Sequence, residues 1–238
     1  MIIAIDGLDG SGKETTCNML SDWFTKNGYT NMVHSFPDYD TPSGLYIKRL
    51  ISTPEIIQDM PAQFKRYHMA NLFAYNRKEH FDKVYPIMDD YDIHIFDRYW
   101  ASNILYQGLG LSMDELIQFS IWCRSLDTAL LNPMPDTYYF LQIPYAELRK
   151  RIDTRKHTEI INDSYEKDEY QKAVYHLSES IIHNKDFSFI YDKVFTLYKA
   201  LSYGRFVSYD AEKVLDIIVE TLQDDEEYKS LPKGRQPK

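Results

Sequence analysis

Cysteine is scarce in this sequence, and its two cysteines, Cys17 and Cys123, stand far apart without a CxxC pair or a Cys/His cluster. This pattern excludes a disulfide scaffold and a structural zinc site, and it is typical of a reducing cytoplasm. No apolar run approaches the roughly 18 residues of a membrane span. Residues 1–10 have no basic segment before their short apolar run. We therefore expect a cytoplasmic protein with no secretory signal and no membrane partner.

Basic residues are also fewer than acidic ones. The chain has 27 Lys and Arg and 36 Asp and Glu, which gives a net charge of −9. Proteins that bind nucleic-acid polymers usually present a basic face, so we expect no such partner here. A small anionic ligand in a local basic pocket remains compatible with this charge. The 44% of hydrophobic residues is close to the usual globular value, which excludes a disordered or fibrous chain.

Strand and helix patterns alternate along the chain. Short apolar strands are predicted at residues 1–6, 31–36, 92–96, 137–143 and 205–210. Helical patterns occur at residues 13–26, 61–84, 112–131, 144–156, 164–183 and 211–223. This order predicts an α/β fold of three layers, with a parallel five-stranded sheet between helices. We treat residues 1–223 as one domain and the charged residues 224–238 as a mobile tail, while residues 184–205 have no assignable pattern.

A glycine-rich loop follows the first strand. Gly7-Leu8-Asp9-Gly10-Ser11-Gly12-Lys13 fits G-x-x-x-x-G-K between a strand and a helix. The backbone N–H groups of such a loop and the helix N-terminus bind phosphate, and the lysine reaches the β- and γ-phosphates. The predicted ATP-binding residues are Gly10, Ser11, Gly12, Lys13, Glu14 and Thr15.

The residue after this lysine departs from the pattern. Ser or Thr normally stands there to hold Mg²⁺, whereas this chain has Glu14 followed by Thr15 and Thr16. One residue along a helix turns a side chain by about 100°, so Thr15 is not an equivalent substitute. Either Glu14 contacts the metal, directly or through water, or other acids such as Asp9 and Asp97 hold it.

Asp97 and Arg98 follow the third strand. Ligands of parallel sheets bind beyond the carboxyl ends of the strands, where residues 7–13, 36–39 and 97–98 are all predicted to converge. The planar guanidinium of Arg98 suits a phosphate group. An ion pair on the surface is the alternative, and the adjacent phosphate loop favours the binding site.

Five segments resemble, in order and spacing, the thymidylate kinase family of P-loop nucleoside monophosphate kinases. They are GLDGSGK (7–13), FPDYDTPSG (36–44), LFAYNR (72–77), DRYWASNILYQ (97–107) and DSYEKD (163–168). The resemblance implies a P-loop kinase fold with a small lid at about residues 149–166. It also implies ATP-dependent phosphorylation of a deoxynucleoside monophosphate, dTMP first, with Mg²⁺ as cofactor and a homodimer as the assembly.

The resemblance assigns roles around the acceptor nucleotide. Phe73 would stack on the thymine, Arg77 would hydrogen-bond the base, and Arg98 would grip the monophosphate. From the residues alone, Phe73 would be read as a core residue. The other predicted dTMP-binding residues are Asp9, Phe36, Tyr39, Ser102, Asn103, Tyr106 and Tyr165. Many relatives have an arginine in the FP segment, where this chain has Asp38 and Tyr39.

The resemblance also places catalytic cations and metal ligands. Some members have an arginine inside the phosphate loop, whereas this chain has Gly10 and would depend on lid arginines. Without the resemblance, the basic helix at residues 144–156 is a solvated face. The predicted catalytic residues are Lys13, Arg98, Arg151 and Arg155. The predicted metal ligands are Asp9, Asp97 and Glu166.

Other functions remain open at this stage. One is a kinase of a modified pyrimidine monophosphate or a kinase of a free deoxynucleoside. A deoxynucleoside kinase needs a carboxylate base near the 5′-hydroxyl. The pairing of Arg98 with an acceptor phosphate favours the monophosphate. A non-catalytic nucleotide-binding protein is the other alternative, and Glu14 and the Asp38–Tyr39 pair keep it open.

Overall fold

The computed structural model describes residues 1–156, 167–182, 184 and 211–231, which contain a parallel sheet of four strands. The strands are β1 (Ile2–Gly7), β2 (Asn31–Ser35), β3 (Ile93–Asp97) and β4 (Thr137–Leu141). Their order across the sheet is β2-β3-β1-β4. The two central strands, β1 and β3, read as nearly continuous apolar runs because both faces of a parallel sheet are covered. The predicted fifth strand, residues 205–210, lies outside the described residues.

Helices cover both faces of the sheet. They are α1 (Lys13–Lys26), α2 (Pro42–Ser52), α3 (Ala62–Val84), α4 (Ala101–Gln107), α5 (Met113–Ala129), α6 (Tyr145–Lys156), α7 (Asp168–Ile182), α8 (Ala211–Gln223) and α9 (Glu226–Lys229). Successive residues of a strand point to opposite faces. Ile3 and Ile5 accordingly pack with Leu20 of α1 and Ile218 of α8, while Ala4 belongs to a second apolar cluster on the other face. The predicted three-layer α/β fold is confirmed.

Three short helices, α2, α4 and α9, were missed by the sequence analysis. Helix α2 lies between the predicted strand 31–36 and the predicted helix 61–84, where no helix was expected, and it has Pro42 in its first turn. The side chain of Thr41 accepts a hydrogen bond from the backbone N–H of Gly44 at 3.0 Å, which caps this helix. A threonine followed by proline is a helix-start signal, and it was available in the sequence.

The segment that begins at residue 224 contains helix α9. Its Tyr228 ring lies 5.8 Å from the ring of Tyr29 and 6.3 Å from that of Trp23, measured between centroids. Residues 232–238 of the predicted tail lie outside the described residues. Among the helices that the structure describes, none combines the length and apolar character needed to cross a bilayer.

Candidate active site

The phosphate loop joins β1 to α1 in a backbone conformation that requires glycine. Gly10 and Gly12 have φ angles of 78° and 91°, in the left-handed region that side chains disfavour. A Cβ atom on Gly10 would lie 3.0 Å from the carbonyl oxygen of Leu148 and 3.1 Å from Ile152 Cγ1. The tip of the loop therefore packs directly against α6. No side chain caps α1 at Gly12, so the first N–H groups of this helix are suited to an anionic ligand.

Lys13 lies folded over this loop. Its Nζ donates to the carbonyl oxygen of Leu8 at 2.7 Å and to Ser11 Oγ at 3.5 Å, and the residue is 6% exposed. Burial, reinforced by the nearby positive charge of Arg98, lowers the pKa of Lys13 to about 8. The lysine is thus close to losing its proton under mildly alkaline conditions.

We expect ATP binding to be linked to the protonation of Lys13. Phosphate oxygens favour the charged amine, so the complex raises the pKa of Lys13 above the value of about 8 in the free protein. ATP should bind with its full affinity below about pH 8, and the affinity should fall as the pH rises above this value. Calorimetry at about pH 8.5 in buffers of different ionisation enthalpy should show net proton uptake.

The control for this titration is Lys13→Arg, because a guanidinium stays charged and has no proton to gain. Proton uptake should disappear in this variant while ATP still binds. Equal heats in all buffers for the wild-type protein would contradict the expectation.

Glu14 and Thr15 occupy exposed positions in the first turn of α1. A carboxylate there interacts favourably with the positive end of the helix dipole. The buried Thr16 instead donates its hydroxyl to the carbonyl oxygen of Gly12 at 3.0 Å. The ATP-binding roles of Glu14 and Thr15 stay predictions.

Arg98 is held between the phosphate loop and a cleft beside it. Its φ of 66° is unusual for a residue other than glycine, and such backbone strain is found preferentially at functional sites. The guanidinium forms an ion pair with Asp9, and Nη1 donates to the carbonyl oxygen of Gly7 at 3.3 Å. It also lies 5.7 Å from the centroid of the Tyr106 ring. The backbone and these partners together orient Arg98.

Asp9 connects three elements of the site. Besides Arg98, it accepts hydrogen bonds from Tyr106 of α4 at 3.1 Å and from Gln171 of α7 at 2.7 Å. Burial raises the pKa of Asp9, but the positive charges of Arg98 and Lys13 oppose this effect, and the net pKa lies below the usual value. Asp9 therefore stays ionised as an anchor for Arg98. Sequence reasoning missed Gln171, because nothing local marks it.

Of the three predicted metal ligands, Asp97 fits Mg²⁺ best. Its Oδ1 is buried without a hydrogen-bond partner in the described chain, whereas both oxygens of Asp9 accept protein donors. Burial raises the pKa of Asp97, a cost that a bound cation would offset. Within the described residues no group of three or more metal-binding side chains occurs. Mg²⁺ sites in general use one or two carboxylates together with phosphate oxygens and water. Glu166 lies outside the described residues.

A cleft opens beside Arg98, and its empty space of about 620 Å³ includes open solvent. Its lining includes the predicted residues Asp9, Phe36, Tyr39, Phe73, Arg77, Arg98, Ser102, Asn103 and Tyr106. The structure thus brings together every predicted dTMP-binding residue except Tyr165, which lies outside the described chain. Their individual roles stay predictions.

Arg77 reaches this cleft from a buried ion pair. Its Nε and Nη2 donate to the two carboxylate oxygens of Asp127 at 2.7 and 2.6 Å. Asp127 is fully buried and Arg77 is 3% exposed. If Arg77 hydrogen-bonds a base, Nη1 is the nitrogen that these contacts leave for it. The sequence analysis did not identify Asp127.

Ser102 and Asn103 also make structural contacts. Ser102 Oγ donates to Asp6 Oδ1 at 2.7 Å, and Asn103 Nδ2 donates to the carbonyl oxygen of Ala70 at 3.2 Å. Asp6 is fully buried and accepts a further bond from the Tyr138 hydroxyl at 2.9 Å. Asp6 therefore positions α4 against the sheet below the cleft.

Arg151 stands on α6, beside the phosphate loop. Its Nε donates to Glu147 Oε1 at 3.1 Å, and its Cβ would lie 3.6 Å from a Cβ atom on Gly10. Arg155 belongs to the same helix, and the remainder of the predicted lid, residues 157–166, lies outside the described chain. The described part of the lid thus begins next to the predicted ATP site.

A parallel sheet with a phosphate loop after β1 and an arginine-lined cleft beside it defines a P-loop nucleotide kinase. A family model described as thymidylate kinase matches residues 5–193. The chain therefore belongs to the thymidylate kinase family, as its motifs indicated.

Individual relatives agree with this membership. The chain is 35% identical over 160 residues to a probable thymidylate kinase of Thermococcus kodakarensis. The aligned region covers 66% of this chain and 73% of the relative. It is 31% identical over 172 residues to the thymidylate kinase of Mycobacterium tuberculosis H37Rv, with 71% and 78% covered. The solved structure of thymidylate kinase from Candida albicans superposes with a TM-score of 0.61 at 21% identity, covering 95% of this chain and 92% of that chain. This likeness supports the fold.

Proposed function

We propose that this protein transfers the γ-phosphoryl group of ATP to the monophosphate of dTMP, which yields ADP and dTDP. The observation that carries the proposal is the position of Arg98. It bridges the phosphate loop, through Gly7 and Asp9, and the cleft that Phe73 and Arg77 line. A cation at this place can contact the phosphate of an acceptor while ATP occupies the loop.

The chemistry requires charge neutralisation more than proton transfer. The attacking oxygen of a nucleoside monophosphate is already anionic, so no strong general base is needed. The difficulty is to bring two polyanions together in line. Arg98 and, in its protonated form, Lys13 supply positive charge from the two sides, and Arg151 stands at the edge of the phosphate loop.

We propose Mg²⁺ as the cofactor, with Asp97 holding it together with ATP. Bound there, the metal would neutralise charge on the β- and γ-phosphates. The orphaned Oδ1 of Asp97 supports this assignment over Asp9, whose oxygens anchor Arg98. We also propose that the protein is cytoplasmic and forms a homodimer. Light scattering of the purified protein would test whether it is a dimer.

The decisive test is an acceptor panel with Mg²⁺–ATP in which ADP release is followed. The panel consists of dTMP, dUMP, dCMP, dGMP, thymidine and no acceptor. We expect strong turnover with dTMP, weaker turnover with dUMP and almost none without acceptor. Turnover with thymidine but not dTMP would instead indicate a nucleoside kinase. ATP binding without turnover on any acceptor would indicate a non-catalytic protein.

A further inference from the structure

Three histidines form a continuous hydrogen-bonded chain behind the acceptor cleft. His80 Nε2 lies 2.9 Å from His34 Nδ1, and His34 Nε2 lies 2.9 Å from His94 Nδ1. The chain ends at Asp38, whose Oδ2 is 2.7 Å from His80 Nδ1, and at the carbonyl oxygen of Met88, 2.9 Å from His94 Nε2. We call this arrangement the histidine chain. It connects the segment after β2 with α3 and β3.

Counting hydrogens shows that the histidine chain holds one extra proton. Each of its four contacts needs one hydrogen, and both end groups, a carboxylate and a carbonyl, are acceptors. Three neutral imidazoles supply only three hydrogens. The fourth must be carried by Asp38 or by one of the histidines.

The surroundings place this proton on His80. Burial, with the neighbouring histidines, lowers the pKa of His34 to about 3, and burial also lowers the pKa of His94. Burial raises the pKa of Asp38, but its hydrogen bonds, above all the one with His80, bring the net pKa below the usual value. His34 and His94 are therefore neutral and Asp38 is ionised, which leaves His80 as the imidazolium.

Charged groups at the two ends of the histidine chain support this assignment. Near Asp38, Lys83 of α3 further lowers the pKa of the carboxyl group. Near His94, the N-terminal amine of Met1 lowers the pKa of the imidazole and the carboxylate of Asp89 raises it, so their effects oppose each other. Asp38 is thus the ionised group in contact with His80.

Asp38 is tied to α3 at three points. Besides the contact with His80, its backbone N–H donates to Asn76 Oδ1 at 2.8 Å, and its carbonyl oxygen accepts from Asn76 Nδ2 at 3.0 Å. Its neighbours Pro37 and Tyr39 both line the cleft. The position of this cleft wall therefore depends on how firmly α3 holds Asp38.

We propose that protonated His80 is a positioning residue for phosphoryl transfer, because it fixes Asp38 and with it the wall that Pro37 and Tyr39 give to the acceptor cleft. The identity of the acceptor rests on the proposed function, whereas the proton in the histidine chain does not. When that proton is lost, one of the four contacts must bring two acceptors together. The wall then loosens as the pH rises and this proton is lost.

The kinetic test measures the apparent KM for dTMP and kcat from about pH 5.5 to about pH 8.5 at saturating Mg²⁺–ATP. For the wild-type protein we expect KM to rise about tenfold across this range, the effect of one buried hydrogen bond, with a much smaller change in kcat. His80→Gln keeps an N–H donor for Asp38 but has no titrating proton. Its KM should therefore change far less with pH than that of the wild type.

The matched control is His176→Gln, on α7, where the side chain is 63% exposed and outside the histidine chain. Its KM profile should follow the wild type. The ionisation of dTMP is common to all variants, so the ratio of KM values isolates the protein's contribution. Parallel profiles for the wild type and His80→Gln would overturn the proposal.

A spectroscopic test needs neither activity nor a variant. Long-range ¹H–¹⁵N spectra of the wild-type histidines should show His34 and His94 as neutral Nε2–H tautomers and His80 protonated on both nitrogens at about pH 5.5. A neutral His80 at that pH would overturn the proposal. If these spectra are as expected but dTMP is not phosphorylated, the proposed function fails and the histidine chain stands.

Discussion

Replacing Arg98 with alanine should lower kcat for dTMP phosphorylation by about 100-fold or more. The guanidinium is fixed by its φ of 66° and by contacts with Asp9 and Gly7, so its charge is in place before the substrates arrive. Charge held in this way costs no reorganisation during the reaction, and its loss should reduce kcat more than it raises KM. Steady-state kinetics with dTMP would measure both parameters.

Two further variants make this result specific. Arg124→Ala removes an exposed arginine of α5 and should leave turnover unchanged. Arg98→Lys keeps the charge but loses the planar fork, so its activity should lie between those of the wild type and Arg98→Ala. Near-normal turnover of Arg98→Ala, in a protein with unchanged thermal unfolding, would show that the role assigned to Arg98 is wrong.

Asp127→Ala should lower the free energy of unfolding by about 3–5 kcal/mol. The variant leaves the guanidinium of Arg77, which is 3% exposed, buried without its carboxylate partner. Asn132 Nδ2, which donates to the same carboxylate at 2.8 Å, loses an acceptor as well. For a chain of this size, each kcal/mol corresponds to about 2–4 °C in Tm, so we expect a decrease of roughly 6–20 °C by calorimetry.

An exposed ion pair supplies the control. Asp153, which pairs with Arg149 on α6, is 53% exposed, and Asp153→Ala should change stability by less than about 1 kcal/mol. The double variant Arg77→Met/Asp127→Leu replaces the buried pair by apolar side chains and should recover most of the lost stability. Its KM for dTMP should be higher than that of the wild type, because the cation predicted to contact the base is gone. A loss below about 1 kcal/mol for Asp127→Ala would contradict the expectation.

Features that depend on neighbouring residues could be predicted from the sequence. The glycine pattern identified the phosphate loop, and the helix after it begins at Lys13 as expected. The rule that ligands bind at the carboxyl ends of parallel strands brought the loop, Phe36–Tyr39 and Arg98 to one edge, which the structure confirms. Helix α2 was missed although Thr41 and Pro42, a local helix-start signal, precede its apolar residues.

Features that depend on distant residues could not be predicted. Arg77 and Asp127 are 50 residues apart, and the sequence contains no local sign that they form a pair. The histidine chain joins His34, His80 and His94 from three separate elements, and only the strand order places β2 beside β3. Hydrogen-bonded networks of this kind follow from the tertiary fold, so pattern reasoning identified Arg77 without Asp127 and did not identify the three histidines.

One face of α3 carries Phe73, Asn76, Arg77 and His80, at spacings of three and four residues. Phe73 and Arg77 line the cleft, while Asn76 and His80 hold Asp38, whose neighbours form the cleft wall. In evolutionary terms this arrangement restricts where substrate preference can diverge. A shift of α3 that suited another base would also displace the wall, so substitutions that move α3 should change base preference and the position of the wall together.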